Sequence, residues 1–128
     1  MKPLQLSLFI ALFLFCNKAK AQTFEGVWKG KSLCQVKNSP CHDENVVYYI
    51  SKDSTSKTFD INAYKIVNGK EDFMGTIVFV YDEKQTAYIS VDKDRDARWE
   101  FKITGNTMKG TLTVKGTLFR LIDVKKDN

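Results

Sequence analysis

The chain has 128 residues, of which 43% are hydrophobic, and a formal net charge of +5 at pH 7. No linker, charge block, low-complexity tract or internal repeat divides the sequence, so we expect one domain with a modest core. Three of the lysines lie in the first 21 residues, and the small positive excess that remains gives little support for binding to nucleic acid or to a membrane surface.

Residues 1–21 have the order of a secretory signal peptide. Lys2 precedes an apolar run over 4–15, and Ala19-Lys20-Ala21 supplies the small residues of a cleavage site. The apolar run is shorter than the roughly 20 residues that a membrane-spanning helix needs, so a retained anchor is the weaker alternative. We predict cleavage after Ala21.

Cleavage there leaves a mature domain over 22–128 with a net charge of +2, which we expect to be secreted or periplasmic. A lipid anchor on Cys16 is a weaker alternative, because Phe15 is larger than the residue that such a site requires before its cysteine. Cleavage after Ala21 also removes Cys16 from the mature chain.

Eight short segments of the mature chain favour β-strands, because their apolar residues recur at every second position and so share one face. The clearest are 98–104 and 107–114, in which apolar and polar side chains alternate almost throughout. Both faces of the segment 76–81 are apolar, so the sequence does not determine which face points into the core. In chain order the segments are 23–33, 46–50, 59–63, 76–81, 86–91, 98–104, 107–114 and 117–124.

The two cysteines that remain after cleavage, Cys34 and Cys41, follow the first strand. In an oxidising compartment such a pair predicts a disulfide, which stabilises a small domain by roughly 2.5 kcal/mol through closure of so short a loop. A metal site is the alternative, because Cys41-His42-Asp43-Glu44 places four ligand types in a row. Consecutive residues rarely point at one ion, and the spacing matches no usual zinc pattern, so we predict no metal here.

The turn signals between the segments predict hairpins. Asn68-Gly69, Gly105-Asn106 and Lys115-Gly116 suit two-residue turns, so adjacent strands are expected to be antiparallel. Polar residues at 53–56, 82–85 and 92–96 suit longer loops. The last of these is rich in aspartate and resembles the first half of a calcium loop, but Ala97 stands where such a loop needs glycine, and we favour an exposed hairpin tip.

Eight antiparallel strands leave two exposed edges unless the first and last strands pair. Pairing them produces an eight-stranded antiparallel up-and-down barrel, an all-β fold whose interior is just wide enough for side chains or one small ligand. Two packed sheets would satisfy the same alternation, so an open sandwich is the alternative.

The segment Phe24-Glu25-Gly26-Val27-Trp28-Lys29 resembles the opening strand of the calycin superfamily, which comprises lipocalins, fatty-acid-binding proteins and avidins. In lipocalins, an arginine on the last strand packs across this tryptophan. The resemblance therefore implies that Arg120 stacks on Trp28 and that the two residues plug one end of the barrel. It also implies that the other end admits an apolar molecule.

Aromatic side chains of the predicted strands are the candidates for binding such a molecule, with Arg120 as a cation for an anionic head group. The same aromatics would also suffice to fill a β core, and Arg120 would then be a structural plug, so the sequence leaves both interpretations open. The candidate ligand-binding residues are Trp28, Tyr48, Phe59, Phe79, Tyr81, Trp99, Phe101 and Arg120.

Catalysis has little support, because the paired carboxylates are neighbours in predicted loops and no serine motif or histidine-oriented nucleophile is visible. We therefore predict a non-catalytic, lipocalin-like protein without a cofactor that binds a small, largely apolar ligand. The alternative is a disulfide-stabilised module that presents the Cys34–Glu44 loop to a protein partner.

Overall fold

The computed structural model describes residues 23–128, so the predicted signal peptide at 1–21 lies outside the described residues. All regular structure in the described part of the chain is β. Among these residues no helix is long and apolar enough to cross a lipid bilayer. The strands are β1 Gly26–Cys34, β2 Glu44–Lys52, β3 Thr58–Val67, β4 Lys70–Asp82, β5 Ala87–Asp92, β6 Ala97–Thr104, β7 Thr107–Val114 and β8 Thr117–Lys126.

The eight strands form a closed barrel in which each pairs antiparallel with its neighbours in the sequence. Closure is made by β1 and β8, whose register runs from Trp28 opposite Lys126 to Cys34 opposite Arg120. Gly30 permits this close approach, because a Cβ atom there would collide with the backbone of β8. The predicted up-and-down barrel is confirmed, and the open sandwich is wrong for this chain.

The three predicted two-residue turns are present where the sequence places them. Asn68 and Gly69 have φ angles of 52° and 76°, as a hairpin turn with two left-handed residues requires. Lys115-Gly116 forms a second turn of this kind, and Gly105 opens the third with a φ of 61°. These turns set the antiparallel register of β3 with β4, β6 with β7, and β7 with β8.

The longer loops at 53–57, 83–86 and 93–96 begin in the same way. An aspartate side chain at each strand end, Asp53, Asp82 or Asp92, accepts a hydrogen bond from the backbone N–H two residues later, at 2.9, 2.9 and 3.1 Å. An aspartate carboxylate that accepts a hydrogen bond from the backbone of the following turn favours the turn over further extended strand. This explains why an aspartate stands at the end of each of these three strands.

One end of the barrel, which we call the closed end, is filled with aromatic side chains. Phe24 is 1% exposed and covers this end, where its ring stacks on Tyr88 with a centroid distance of 3.8 Å. Its carbonyl oxygen accepts a hydrogen bond of 2.9 Å from the indole N–H of the fully buried Trp28. Phe59 and Phe79 pack edge-on against Phe24. The closed end therefore has a solid core.

The predicted stacking of Arg120 on Trp28 is wrong. The cation over the indole is Lys126, whose Nζ atom lies 4.8 Å from the ring centre. The register of the seam explains the difference, because Trp28 is paired with Lys126 and Arg120 is six residues further along β8. Six residues of a strand span about 20 Å, so Arg120 lies at the opposite end of the barrel.

Strand β4 contains an irregularity that the sequence pattern does not reveal. Ala63 faces Gly75 and Tyr64 faces Phe73, so Met74 is an extra residue that bulges from the β3–β4 ladder. Gly75 has a φ of 148°, a conformation that favours glycine. Both strands continue through the bulge, and they are therefore longer than the predicted segments 59–63 and 76–81.

Candidate ligand-binding site

The opposite end of the barrel, which we call the open end, contains a cavity of about 680 Å³. This end carries the β1–β2, β3–β4, β5–β6 and β7–β8 connections. Side chains on the inner faces of all strands except β7 line the cavity. Its apolar walls include Val46, Tyr48, Ile61, Ile77, Trp99 and Phe101.

The structure brings four of the eight candidate residues together around this cavity: Tyr48, Trp99, Phe101 and Arg120. Tyr48 and Phe101 are almost fully buried and pack edge-on with a centroid distance of 6.0 Å. Trp99 is stacked beside Phe101 at 6.5 Å. The aromatic wall lies on β2 and β6, and Arg120 enters from β8.

The other four candidate residues lie toward the closed end. Trp28 and Phe79 are fully buried in the core, and Phe59 packs at its edge. Tyr81 is 45% exposed, with its ring 4.9 Å from that of Tyr88. The two interpretations of the aromatics thus apply to different halves of the barrel, since one half is filled and the other holds a cavity.

Arg120 is the most connected polar side chain of the open end. Its Nη1 atom donates to the carbonyl and hydroxyl oxygens of Ser32, at 3.3 and 3.2 Å, and to the carbonyl oxygen of His42 at 3.2 Å. Its Nη2 atom lies 3.7 Å from a carboxylate oxygen of Glu44. The guanidinium therefore joins β1, the β1–β2 loop and β2 across the mouth of the cavity.

Glu44 and Ser32 also line the cavity, although neither is among the candidate residues predicted from the sequence. The strand pattern contained a signal for both. Ser32 shares the inward face of β1 with Trp28, and Glu44 lies one same-face step beyond Val46 on β2. The side chains of Glu44 and Arg120 are only 15% and 13% exposed. Charged groups with so little solvent contact need a partner, and the two residues supply it for each other.

Tyr48 adds a hydroxyl group to this polar end. Burial raises the pKa of Tyr48 well above its ordinary value, while the charges of Arg120 and Glu44 have smaller, opposing effects on it. The hydroxyl is therefore protonated at neutral pH and is able both to donate and to accept hydrogen bonds. At the Arg120 end, the cavity thus combines an apolar wall with an ion pair and the hydroxyl groups of Tyr48 and Ser32.

The cavity also has an opening in the side of the barrel. Strands β4 and β5 pair over only three residues each, 80–82 with 87–89. Beyond these pairs, residues 74–78 of β4 and 90–95 of β5 and its loop flank the cavity. The bulge in β4 falls in this stretch and bends the strand there. On this side, the cavity is therefore flanked by strand segments that are not paired with each other.

The predicted disulfide partners, Cys34 and Cys41, are bonded to each other, with their Cα atoms 5.9 Å apart. The backbone N–H of Cys34 donates to the Asp43 carboxylate at 2.8 Å, and that of Gln35 donates to the Phe119 carbonyl oxygen at 2.9 Å. The bridge and these bonds fasten the β1–β2 loop beside Arg120.

Metal binding gains no support from the arrangement of side chains. The bridge engages both sulfur atoms of the alternative zinc site, and Asp92 of the aspartate-rich loop accepts hydrogen bonds from its own turn. Within residues 23–128, no three histidine, cysteine or acidic side chains come together as a metal site.

The sequence of this chain matches no protein-family model and no curated protein.

Proposed function

We propose that this chain is an exported, lipocalin-like barrel that binds a small, largely apolar ligand at the open end without altering it chemically. The cavity is the observation that carries the proposal. Its volume of about 680 Å³ lies within the range of roughly 300 to 1,000 Å³ that is typical of small-molecule sites. Its inner wall is aromatic and aliphatic, and polar side chains near Arg120 and in the β5–β6 loop supply groups that can orient a ligand.

Three further observations support the parts of this proposal. The closed barrel with Trp28 at its filled end agrees with the resemblance to calycins. The order of residues in 1–21 and the Cys34–Cys41 bridge both favour export to an oxidising compartment. The ionisable groups Arg120 and Glu44 are held by each other, which favours binding over proton transfer.

A cavity-filling variant tests the binding proposal. Ser90 lines the cavity on β5 opposite Trp99, so Ser90→Phe places a ring inside the cavity. We expect the variant to bind an apolar fluorescent probe, N-phenyl-1-naphthylamine, at least about tenfold more weakly than the unmodified protein does. The measurement is a fluorescence titration of folded, mature protein.

Ser56→Phe is the matched control, because Ser56 is exposed in the β2–β3 loop at the closed end. This variant should bind the probe as tightly as the unmodified protein does. Equal affinities for both variants, with circular dichroism showing that both are folded, would place the probe outside the cavity and contradict the proposal. The loop Cys34–Glu44 would then become the better candidate, as a surface for a protein partner.

A further inference from the structure

The polar end of the cavity presents three kinds of hydrogen-bonding group to a ligand. Arg120 can only donate, ionised Glu44 can only accept, and the Tyr48 hydroxyl can do both. All three residues line the cavity, and Ser32 lies beside them. A ligand group that contacts this end therefore meets donors and acceptors side by side.

From this arrangement, and resting on the proposed function, we infer that the cavity selects an apolar ligand whose head group is uncharged and both donates and accepts hydrogen bonds, such as a primary amide. Its acceptor oxygen is bound by Arg120 or Tyr48 and its N–H by Glu44. The apolar body of the ligand lies against the wall formed by Trp99 and Phe101.

The charge on Arg120 is already balanced, and this is the first reason to expect a neutral head group. Its guanidinium lies 3.7 Å from the Glu44 carboxylate and donates to three oxygen atoms of Ser32 and His42. A ligand carboxylate that approached Arg120 would also approach Glu44. The repulsion between two carboxylates is strong where solvent screens little, and both side chains here are less than one-fifth exposed.

A ligand ammonium group meets the converse difficulty, because it would approach Glu44 and be repelled by Arg120. A zwitterion could satisfy both charges only by separating the pair and giving up its own hydration, which is costly for buried charges. A neutral head group can form hydrogen bonds with Arg120 and Glu44 while they remain paired, so it meets neither the charge repulsion nor the cost of separating the pair.

The balance of charge in the rest of the lining gives a second reason. Apart from Glu44 and Arg120, the lining includes two acidic side chains, Asp92 and Asp94, and two basic side chains, Lys93 and Arg95. The lining therefore has no net formal charge, and no excess of either sign favours a charged ligand.

Competition between ligands of one chain length tests the inference. Decanamide, decanoate, decylamine and 2-aminodecanoate would each displace N-phenyl-1-naphthylamine from the mature, disulfide-bonded protein at pH 7. We expect decanamide to displace the probe at a concentration about tenfold lower than any of the three charged compounds. All four carry a ten-carbon chain, so the difference reports the head group.

Neutralising one member of the Arg120–Glu44 pair should change which charged head group the cavity prefers. Glu44→Gln leaves Arg120 unbalanced, so decanoate should gain about tenfold in affinity while decylamine gains nothing. Arg120→Gln should do the opposite and favour decylamine. Glu100→Gln is the matched control, because Glu100 is paired with Arg98 and Lys102, away from the cavity lining, and its removal should leave the ranking unchanged.

The outcomes separate this inference from the proposed function. If the unmodified protein does not bind the probe at all, the proposed function fails and the inference fails with it. If the probe binds but a charged compound displaces it as well as decanamide does, binding stands and the inference is overturned. If Arg120→Gln does not fold, the isosteric Glu44→Gln variant decides, and an unchanged ranking in it also overturns the inference.

Discussion

Tyr48 links the cavity to the pH dependence of stability. Because burial raises its pKa, the folded protein holds the phenolic proton more tightly than the unfolded chain, which titrates near pH 10. The contribution of Tyr48 to stability is thus fully present below about pH 10 and is lost as the pH rises further. Burial also raises the pKa of Tyr88, which adds a smaller loss of the same sign.

We therefore expect the free energy of unfolding of the unmodified protein to fall as the pH rises above about 10, and to fall less in Tyr48→Phe. Urea unfolding at several pH values in this range measures both curves. Parallel curves would mean that the Tyr48 hydroxyl is solvated in the folded protein, and the assignment of a buried hydroxyl to the cavity would be wrong.

Lys126 stabilises the closed end by joining the last strand to the segment before the first. Its Nζ atom donates to the carbonyl oxygens of Thr23, at 2.8 Å, and of Glu25, and it also lies over the Trp28 ring. Lys126→Met keeps much of the aliphatic chain and removes these interactions, so we expect a loss of about 1 to 2 kcal/mol in the free energy of unfolding.

Chemical denaturation of Lys126→Met and of Lys125→Met measures this effect. Lys125 is the outward-facing neighbour of Lys126 on β8 and is exposed, so its replacement should change stability by less than about 0.5 kcal/mol. Equal losses in the two variants would show that the contacts of Lys126 with Thr23 and Trp28 contribute nothing specific.

Among the elements of the barrel, the β1–β2 loop is fastened by the Cys34–Cys41 disulfide and by the hydrogen bond from Arg120 to the His42 carbonyl oxygen. Replacing Cys34 and Cys41 together by serine should lower the free energy of unfolding by roughly 2.5 kcal/mol, because the unfolded chain regains the freedom of the loop. The barrel itself should persist, since its strand pairing does not depend on the bridge.

Urea unfolding of the double serine variant, beside the unmodified protein with and without a reducing agent, measures this contribution. The reduced unmodified protein should unfold like the variant. If reduction and replacement both leave the unfolding midpoint unchanged, the loop is held entirely by Arg120 and the backbone bonds of Cys34 and Gln35.

At the scale of the whole molecule, the export hypothesis makes a chemical prediction. When the full chain is produced in a bacterium with an export pathway, we expect the protein outside the cytoplasm to begin at Gln22 and to contain no free thiol. Mass spectrometry of the intact protein, before and after alkylation, measures both. Retention of Met1 or alkylation of Cys34 would contradict the prediction.

Several features of the barrel were predictable from the sequence because they depend on nearby residues. Alternating side chains identify β6 and β7 to within one residue of their ends, and Asn68-Gly69 fixes the turn between β3 and β4. The pattern failed around the β4 bulge, where Met74 interrupts the alternation and both neighbouring strands run on. A bulge is stabilised by the partner strand and by curvature, which a single segment does not report.

Half of the candidate binding residues line the cavity, and this division was not predictable from alternation. Phe79 and Phe101 are both aromatic, inward-facing and buried, yet only Phe101 lines the cavity. Period two determines the face on which a side chain lies but not its height along the barrel axis. That height depends on the tilt and stagger of all eight strands.

The eight strands, their antiparallel order and the pair of cysteines follow from the amino-acid sequence, because side-chain alternation, turn geometry and short loop closure act over a few residues. The contacts of Lys126 with Trp28, and of Arg120 with Glu44 at the mouth of the cavity, follow from the folded barrel. Arg120 and Ser32 are 88 positions apart in the chain, and the register of the β1–β8 seam brings them together. That register is established only when the barrel closes, since it depends on the combined stagger of every strand between them.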